Sequence, residues 1–473
     1  MRLFEGLLLL TNLMLLLSFN RSSFKKIKAS KWLSALSVIF FGLHVVVEKA
    51  RWSMVPLYLV VAIALAVAQW CVVSKETSET FFNRLKFKRT LMAMMVFFVL
   101  TSGVLAVLFP VYKMPLPKGE YPIGTASFDI TDPVNKAIYS DNLSDQRKIK
   151  VQIWYPAEAT KGYKQMPWLE DGLTITHALA KDMALPSFAL NQTALIMSHS
   201  FEKAPISQRL SHYPVVVISH GWTGFRHLHS DLAENLASNG YIVVGIDHTY
   251  GSEVTVFNDG DVKYMNKAAL PSRDVTPNFL EFGNQLVNTY AADVNLTLNE
   301  LEKFNSGQGA SNFKDRLDLS KIGLLGHSTG GGADVSIAIK DKRIKALIGM
   351  DAWVEPIKTS EIEKGLKIPA LFLRSGVWEV GLNNKNLLSL INKSSPAPTL
   401  YQLNGTTHYD FSMAYMYSPV TKYIGITGKL DGKTSASILT EMTQNFFDKT
   451  LKGSTKTSLS DVADQWRAVE FIR

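Results

Sequence analysis

The stretch Lys321-Ile-Gly-Leu-Leu-Gly-His-Ser-Thr-Gly-Gly-Gly332 leaves little choice of fold around it. Its apolar start reads as a buried strand, Gly326-His327-Ser328-Thr329-Gly330 follows at once, and 333–339 (ADVSIAI) continues as a helix. Strand, Gly-x-Ser-x-Gly, helix is the setting of a sharp turn that exposes a serine hydroxyl at its tip. The glycines let the backbone reverse without a Cβ clash. The helix N-terminus behind the serine offers N–H donors and the positive end of a dipole to a developing oxyanion. Ser328 is the candidate nucleophile, and the N–H of Thr329 is the first candidate oxyanion donor.

The surrounding sequence alternates strand and helix. Pro214–Ser219 is a continuous apolar run, as a parallel strand covered on both faces requires. A helix over 230–239, a strand over 241–246 and a helix over 286–304 follow, then the strand before Ser328. Further strands are expected at 346–350, 370–373 and 399–403, with a final helix near 435–451. This order predicts an α/β fold with a mostly parallel, doubly wound sheet. Thr125–Ile130 and Lys150–Tyr155 alternate as strands and are expected to open it as an antiparallel pair. Residues 157–212 are less regular and read as a cap or an inserted pair of helices. In such sheets chemistry gathers beyond the carboxyl ends of the strands, where Trp222, Ser328, Asp351 and His408 fall.

A serine nucleophile needs a base, and the base needs an acid to orient it. In α/β-hydrolases the chain order is serine, acid, histidine. His408 is the one histidine downstream of Ser328, so it is the candidate base. His327 is expected to be structural. Asp351 and Glu379 each follow a strand and are the two candidate acids. Asp334 sits in the helix behind the nucleophile, and Asp410 is too near His408 in sequence to reach behind its ring. The second oxyanion donor is expected in the loop after 214–219, from the N–H of Trp222.

The front of the chain is different. Four apolar segments, at about 7–19, 32–47, 54–73 and 91–111, predict a membrane anchor of four spans over 1–112. Residues 113–120 read as a Pro-containing linker and 121–473 as the catalytic domain. Of a net charge of +9, residues 1–115 supply a surplus of ten, leaving the rest near −1. A nucleic-acid-binding domain would carry its basic surface on the folded part, so no nucleic-acid partner is expected. Arg21, Lys25, Lys26, Lys28 and Lys31 cluster in the first connection, and Lys75, Arg84, Lys86, Lys88 and Arg89 in the third. The positive-inside rule puts both in the cytoplasm and the catalytic domain on the extracytoplasmic side of a cell membrane. The single cysteine, Cys71, lies in an apolar run and excludes a disulfide or a cysteine-based zinc site.

Together, 213–221 (YPVVVISHG), Phe225-Arg226, 236–240 (LASNG), 326–331 (GHSTGG) and Asp351-Ala-Trp353 resemble the platelet-activating factor acetylhydrolases of the plasma and intracellular isoform II type. The resemblance implies the α/β-hydrolase fold and Asp351 as the acid. It also implies hydrolysis of short or oxidised acyl esters of phospholipid-like substrates, with no metal or other cofactor. Thr329 and Trp222 depart from the family's usual residues, which bears on the pocket wall and the substrate. An acyltransferase using the same triad, and a non-catalytic membrane receptor or scaffold, are the alternatives.

Overall fold

The computed structural model describes residues 1–18, 24–74, 85–142 and 144–473. The chain falls into two compact units, one of residues 1–112 with 180–196, the other of 113–179 with 197–473.

The larger unit is built on an eleven-stranded sheet. In chain order its strands are β1 (Ile123–Lys136), β2 (Gln146–Pro156), β3 (Gln165–Pro167), β4 (Met197–Glu202), β5 (Tyr213–Ser219) and β6 (Ile242–Asp247). A separate two-strand ribbon, β7 (Val254–Val256) with β8 (Val262–Tyr264), comes next. The sheet then continues with β9 (Leu317–His327), β10 (Ile344–Met350), β11 (Ala370–Ser375), β12 (Thr399–Leu403) and β13 (Val469–Phe471). The spatial order is β13-β12-β11-β10-β9-β5-β6-β2-β1-β4-β3. Strands β6, β5, β9, β10, β11 and β12 run parallel to their neighbours in that series. β1 and β2 form the expected antiparallel pair, and β2 meets β6 antiparallel.

All seven residues of β5 are buried. Their two-residue period sends Val215 and Val217 into one core and Val216 and Ile218 into the other. On the first face they meet Leu286, Val287 and Val294 of the helix Phe279–Asn305, together with Ala333 and Val335 of the helix that follows Ser328. On the second they meet Leu232 and Leu236 of Ser230–Ser238 and Ile438, Met442 and Phe447 of Gly432–Lys452. Each fully buried Val, Leu, Ile, Met or Phe among them contributes about 1.5–3 kcal/mol. The helix Gly432–Lys452 starts where the Asp431 carboxylate accepts from the N–H groups of Lys433 and Thr434, and stops at Gly453 with φ +71°. Two helical layers on a mostly parallel sheet constitute the α/β-hydrolase fold.

Two expectations need amendment. The region 157–212 is not only a cap, because β4 pairs parallel with β1, and β3 pairs with β4, extending the sheet edge. β12 is not the last strand, because β13 pairs with it antiparallel.

The smaller unit contains helices Leu3–Ser18, Phe24–Leu43, Val55–Ser74 and Lys88–Leu108, with a π-helical turn at His44–Glu48. Among the described residues, one helix, Arg89–Leu108, is long and apolar enough to cross a membrane, and Leu3–Ser18, Trp32–Glu48 and Trp52–Val67 are shorter apolar helices. Polar side chains bound the shorter ones. Glu5 accepts from Arg2 and from Arg51 at 2.7 Å each, and His44 lies between Glu48 (3.0 Å) and the Tyr58 hydroxyl (2.5 Å). Ligand-type atoms of Glu5, His44 and Glu48 lie within 4.8 Å of one another. Glu5 is already neutralised by two guanidinium groups, which put positive charge where a cation would sit. Arg21, Lys75 and Arg84 of the basic connections lie outside the described residues.

Candidate active site

β9 lies at the centre of the sheet, and Ser328 is the first residue beyond it. Its φ is +56° and ψ −122°, a backbone state that costs a non-glycine residue about 1–3 kcal/mol. Three backbone bonds hold it there. Ser328 N donates to Met350 O (3.0 Å), and Ser328 O accepts from Gly332 N (3.0 Å) and Trp353 N (2.8 Å). A Cβ on Gly330 would stand 2.3 Å from the Ser219 carbonyl, so only glycine lets the new helix approach β5 this closely. Thr329 opens that helix, and its N–H has no acceptor within it.

Asp351 follows β10 and is buried. Its Oδ1 accepts from Ser375 N (2.7 Å) and its Oδ2 from Ser375 Oγ (2.6 Å). The Nδ1 of His408 lies 3.1 Å from the same Oδ2. A carboxylate so placed accepts only, so Nδ1 carries the proton and Nε2 is left with its lone pair. His408 begins a short turn that Asp410 folds, the Asp410 carboxylate accepting from Thr407 N and Gly428 N at 2.7 Å each. Glu379 is engaged elsewhere, its carboxylate with Gln402 Nε2 at 3.1 Å. Of the two candidate acids, the one brought to His408 is Asp351. Asp334 accepts instead from Ser219 Oγ (2.9 Å), and burial pushes its carboxyl well above the usual carboxylate range.

The turn after β5 comes against the serine. A Cβ on Gly221 would fall 2.8 Å from Ser328 Cβ and 3.4 Å from its Oγ, so glycine is required there. The Gly221 carbonyl accepts from Gly224 N (2.9 Å) and from His220 Nδ1 (2.6 Å). His220 Nε2 in turn accepts from Ser252 Oγ at 2.8 Å. In a trans peptide the carbonyl and the next N–H point in opposite directions. Pinning the Gly221 oxygen therefore also fixes the direction of the Trp222 N–H.

Sequence reasoning missed Ser375 and Trp378, and it expected His327 to be structural without placing it against His408. Ser375 anchors Asp351. His327 donates from Nε2 to the His408 carbonyl (3.0 Å), and its ring lies 4.5 Å from the His408 ring. Burial and the adjacent His408 keep the His327 imidazole well below its usual value, hence neutral. Trp378 stacks on the opposite side, with centroids 4.5 Å apart and planes 4° from parallel. No local sequence signal marks any of these contacts, which depend on four separate strand ends, those of β9, β10, β11 and β12, meeting.

The family model described as platelet-activating factor acetylhydrolase, isoform II, matches residues 106–468. The platelet-activating factor acetylhydrolase of Bos taurus is 25% identical over 271 residues, covering 54% of this chain and 59% of the bovine protein. The chain thus spans less than two thirds of that relative. A probable 1-alkyl-2-acetylglycerophosphocholine esterase of Arthroderma benhamiae is 24% identical, covering 55% of this chain and 66% of that protein. Cutinase 1 of Thermobifida cellulosilytica is 23% identical over 42% of this chain and 61% of its own. Among solved structures, a ferulic acid esterase from Streptomyces cinnamoneus matches with TM-score 0.60 at 20% identity, over 77% of this chain and all of that one, a likeness of fold. Because the family match runs from the last apolar helix almost to β13, the chain belongs to the platelet-activating factor acetylhydrolase, isoform II, family.

Proposed function

We propose that the larger unit is a serine hydrolase of carboxylic esters and that Ser328, His408 and Asp351 form its triad. The observation that carries this reading is the His408–Asp351 pair at 3.1 Å together with a serine held at φ +56° directly after His327, whose ring lies 4.5 Å from the His408 ring. In the reaction, Ser328 Oγ attacks the acyl carbonyl carbon as its proton passes to His408 Nε2. The N–H groups of Thr329 and Trp222 receive the oxyanion, and Asp351 stabilises the imidazolium. Collapse expels the alcohol, which takes the proton from His408. Water then gives its proton to His408 and attacks the acyl-enzyme, releasing the acid and restoring Ser328. No step calls for a metal.

The substrate class we propose is a short-acyl or phospholipid-like ester, supported by the names of the bovine and fungal relatives. We further propose that the apolar helices of residues 1–112 embed the protein in a cell membrane as four spans, with the hydrolase unit extracytoplasmic. The apolarity of Arg89–Leu108 and of the three shorter helices supports embedding, and the distribution of basic residues supports the orientation.

The test is labelling of the full-length protein in membranes with a fluorophosphonate probe, beside Ser328→Ala. Labelling of the wild type alone is expected, followed by a chain-length series of esters. Equal labelling of both proteins would remove Ser328 from the reaction. A periplasm-dependent reporter fused after Lys118 is expected to be active, and an inactive fusion would overturn the orientation.

A further inference from the structure

The His408 ring has a neighbour on each face. On one side is His327, whose Nε2–H is committed to the His408 carbonyl and whose ring is tilted 34°. On the other is the Trp378 indole, stacked 4° from parallel at 4.5 Å. Trp378 closes a single 3-10 turn, Gly376–Trp378, that begins directly after β11. The same strand end carries Ser375, which holds Asp351 through both its N–H and its hydroxyl. One short segment therefore fixes the acid from behind and covers the base from the side.

We propose that Trp378 is a positioning residue for the reaction, one that holds the His408 ring in plane and favours its protonated form through the π-face of the indole. The inference rests on the hydrolase reading and deepens it. An imidazole acting as a base becomes a cation at the height of the reaction, and an aromatic face within about 6 Å of a cation attracts it. The two faces are not equivalent. His327 is neutral, has its Nε2–H committed, and offers the new charge no counter-ion. Trp378 offers a negative quadrupole with no proton to exchange. His408 is about a quarter exposed, with 23% of its side chain open to solvent, so the stack also limits its alternative rotamers.

The charged and titratable groups facing His408 are few. Asp351 comes from β10, His327 from β9, and Tyr409 from its own turn, with ring centroids 5.7 Å apart. Glu379 follows Trp378 but spends its carboxylate on Gln402, and Arg374 on β11 binds Gln402 and Asn384. Asp351 thus supplies the principal electrostatic pull on the imidazolium, and Trp378 supplements it from the side.

The experiment compares wild type, Trp378→Phe and Trp378→Leu in the full-length protein. For Trp378→Leu, kcat is expected to fall about three- to tenfold with KM little changed, and the acidic limb of the kcat/KM profile to move about half a unit toward lower pH. Trp378→Phe keeps an aromatic face and is expected to recover most of both. The second readout needs no turnover. A protonated imidazole in contact with an indole quenches its fluorescence, so wild-type emission minus that of Trp378→Phe should drop as pH falls through the kinetic limb. The same difference measured in a His408→Gln background should be flat with pH. A limb that stays in place in Trp378→Leu, or a difference emission that ignores pH in the wild type, would overturn the proposal. Failure of the hydrolase reading looks different: the fluorophosphonate would not label Ser328, while the fluorescence arm would still report the pair.

Discussion

Replacing Asp351 by asparagine tests the site with almost no change of shape. The amide NH2 must stand where Oδ1 or Oδ2 stood. Oδ1 faces the backbone N–H of Ser375 at 2.7 Å, and a donor set against that donor would cost about 1–3 kcal/mol. Oδ2 faces the Ser375 hydroxyl, which can turn to accept, and His408 Nδ1. The amide therefore settles with NH2 toward His408. Nδ1 can then only accept, which moves the imidazole proton to Nε2 and leaves no lone pair for the serine proton. In serine proteases the same error of tautomer lowers kcat roughly 10⁴-fold, equivalent to about 5.4 kcal/mol at 1.36 kcal/mol per decade. The assay is hydrolysis of a p-nitrophenyl acetate series by detergent-solubilised full-length protein, with a thermal melt as control. Loss of about four decades of kcat with a nearly unchanged melt is expected. Activity within tenfold of wild type would refute the reasoning, since another group would then have to orient His408.

Other outcomes follow from the same geometry. Asp334→Asn should leave both labelling and melting within about 1 kcal/mol of wild type, because the carboxyl that burial already keeps neutral can be replaced by an amide that still accepts from Ser219; a large loss would show that Asp334 carries charge. Glu234 is fully buried, accepts from His199 N at 2.8 Å, and has its carboxyl pushed up to about 8 by burial. The folded state then keeps a proton that the unfolded state releases, so this group lowers stability as pH rises from about 4.5 to about 8. Glu234→Gln should raise the melting midpoint at pH 8 relative to wild type far more than at pH 4.5, and an equal difference at both would contradict the shift.

The elbow at Ser328 was legible because its requirements are local: an apolar run, glycines on both sides of the serine, and a helix former beyond. The central strands were legible for a similar reason, since a strand buried on both faces shows as an unbroken apolar run, as in 215–218. The edge strands β3 and β13 are three residues each and carry no period, so pairing partners define them. The choice between Asp351 and Glu379 could not come from spacing alone. It turns on which carboxylate the Ser375 donors and the His408 ring converge upon, and that is a property of how β10, β11 and β12 end. Trp378 was invisible for the same reason. In the front part, apolar length suggested four spans, the third and fourth near full length, but Glu5, Glu48 and Arg51 bound the early helices with a buried polar knot, and one helix alone reaches full spanning length among the described residues.

The grouping of residues 180–196 with 1–112 affects how this protein can be dissected. In that unit Trp52 packs edge-on against both Phe109 (5.0 Å) and Phe188 (5.3 Å), the second of which is contributed from far along the chain. Removing everything before Lys113 would excise the front helices yet leave 180–196 behind, stripped of the apolar companions that order it. A truncated hydrolase would then carry a greasy internal loop of its own, with Leu185 and Phe188 already 39% and 47% exposed in the intact chain. Shortening that loop together with the front helices is the soluble design that respects how the chain is partitioned.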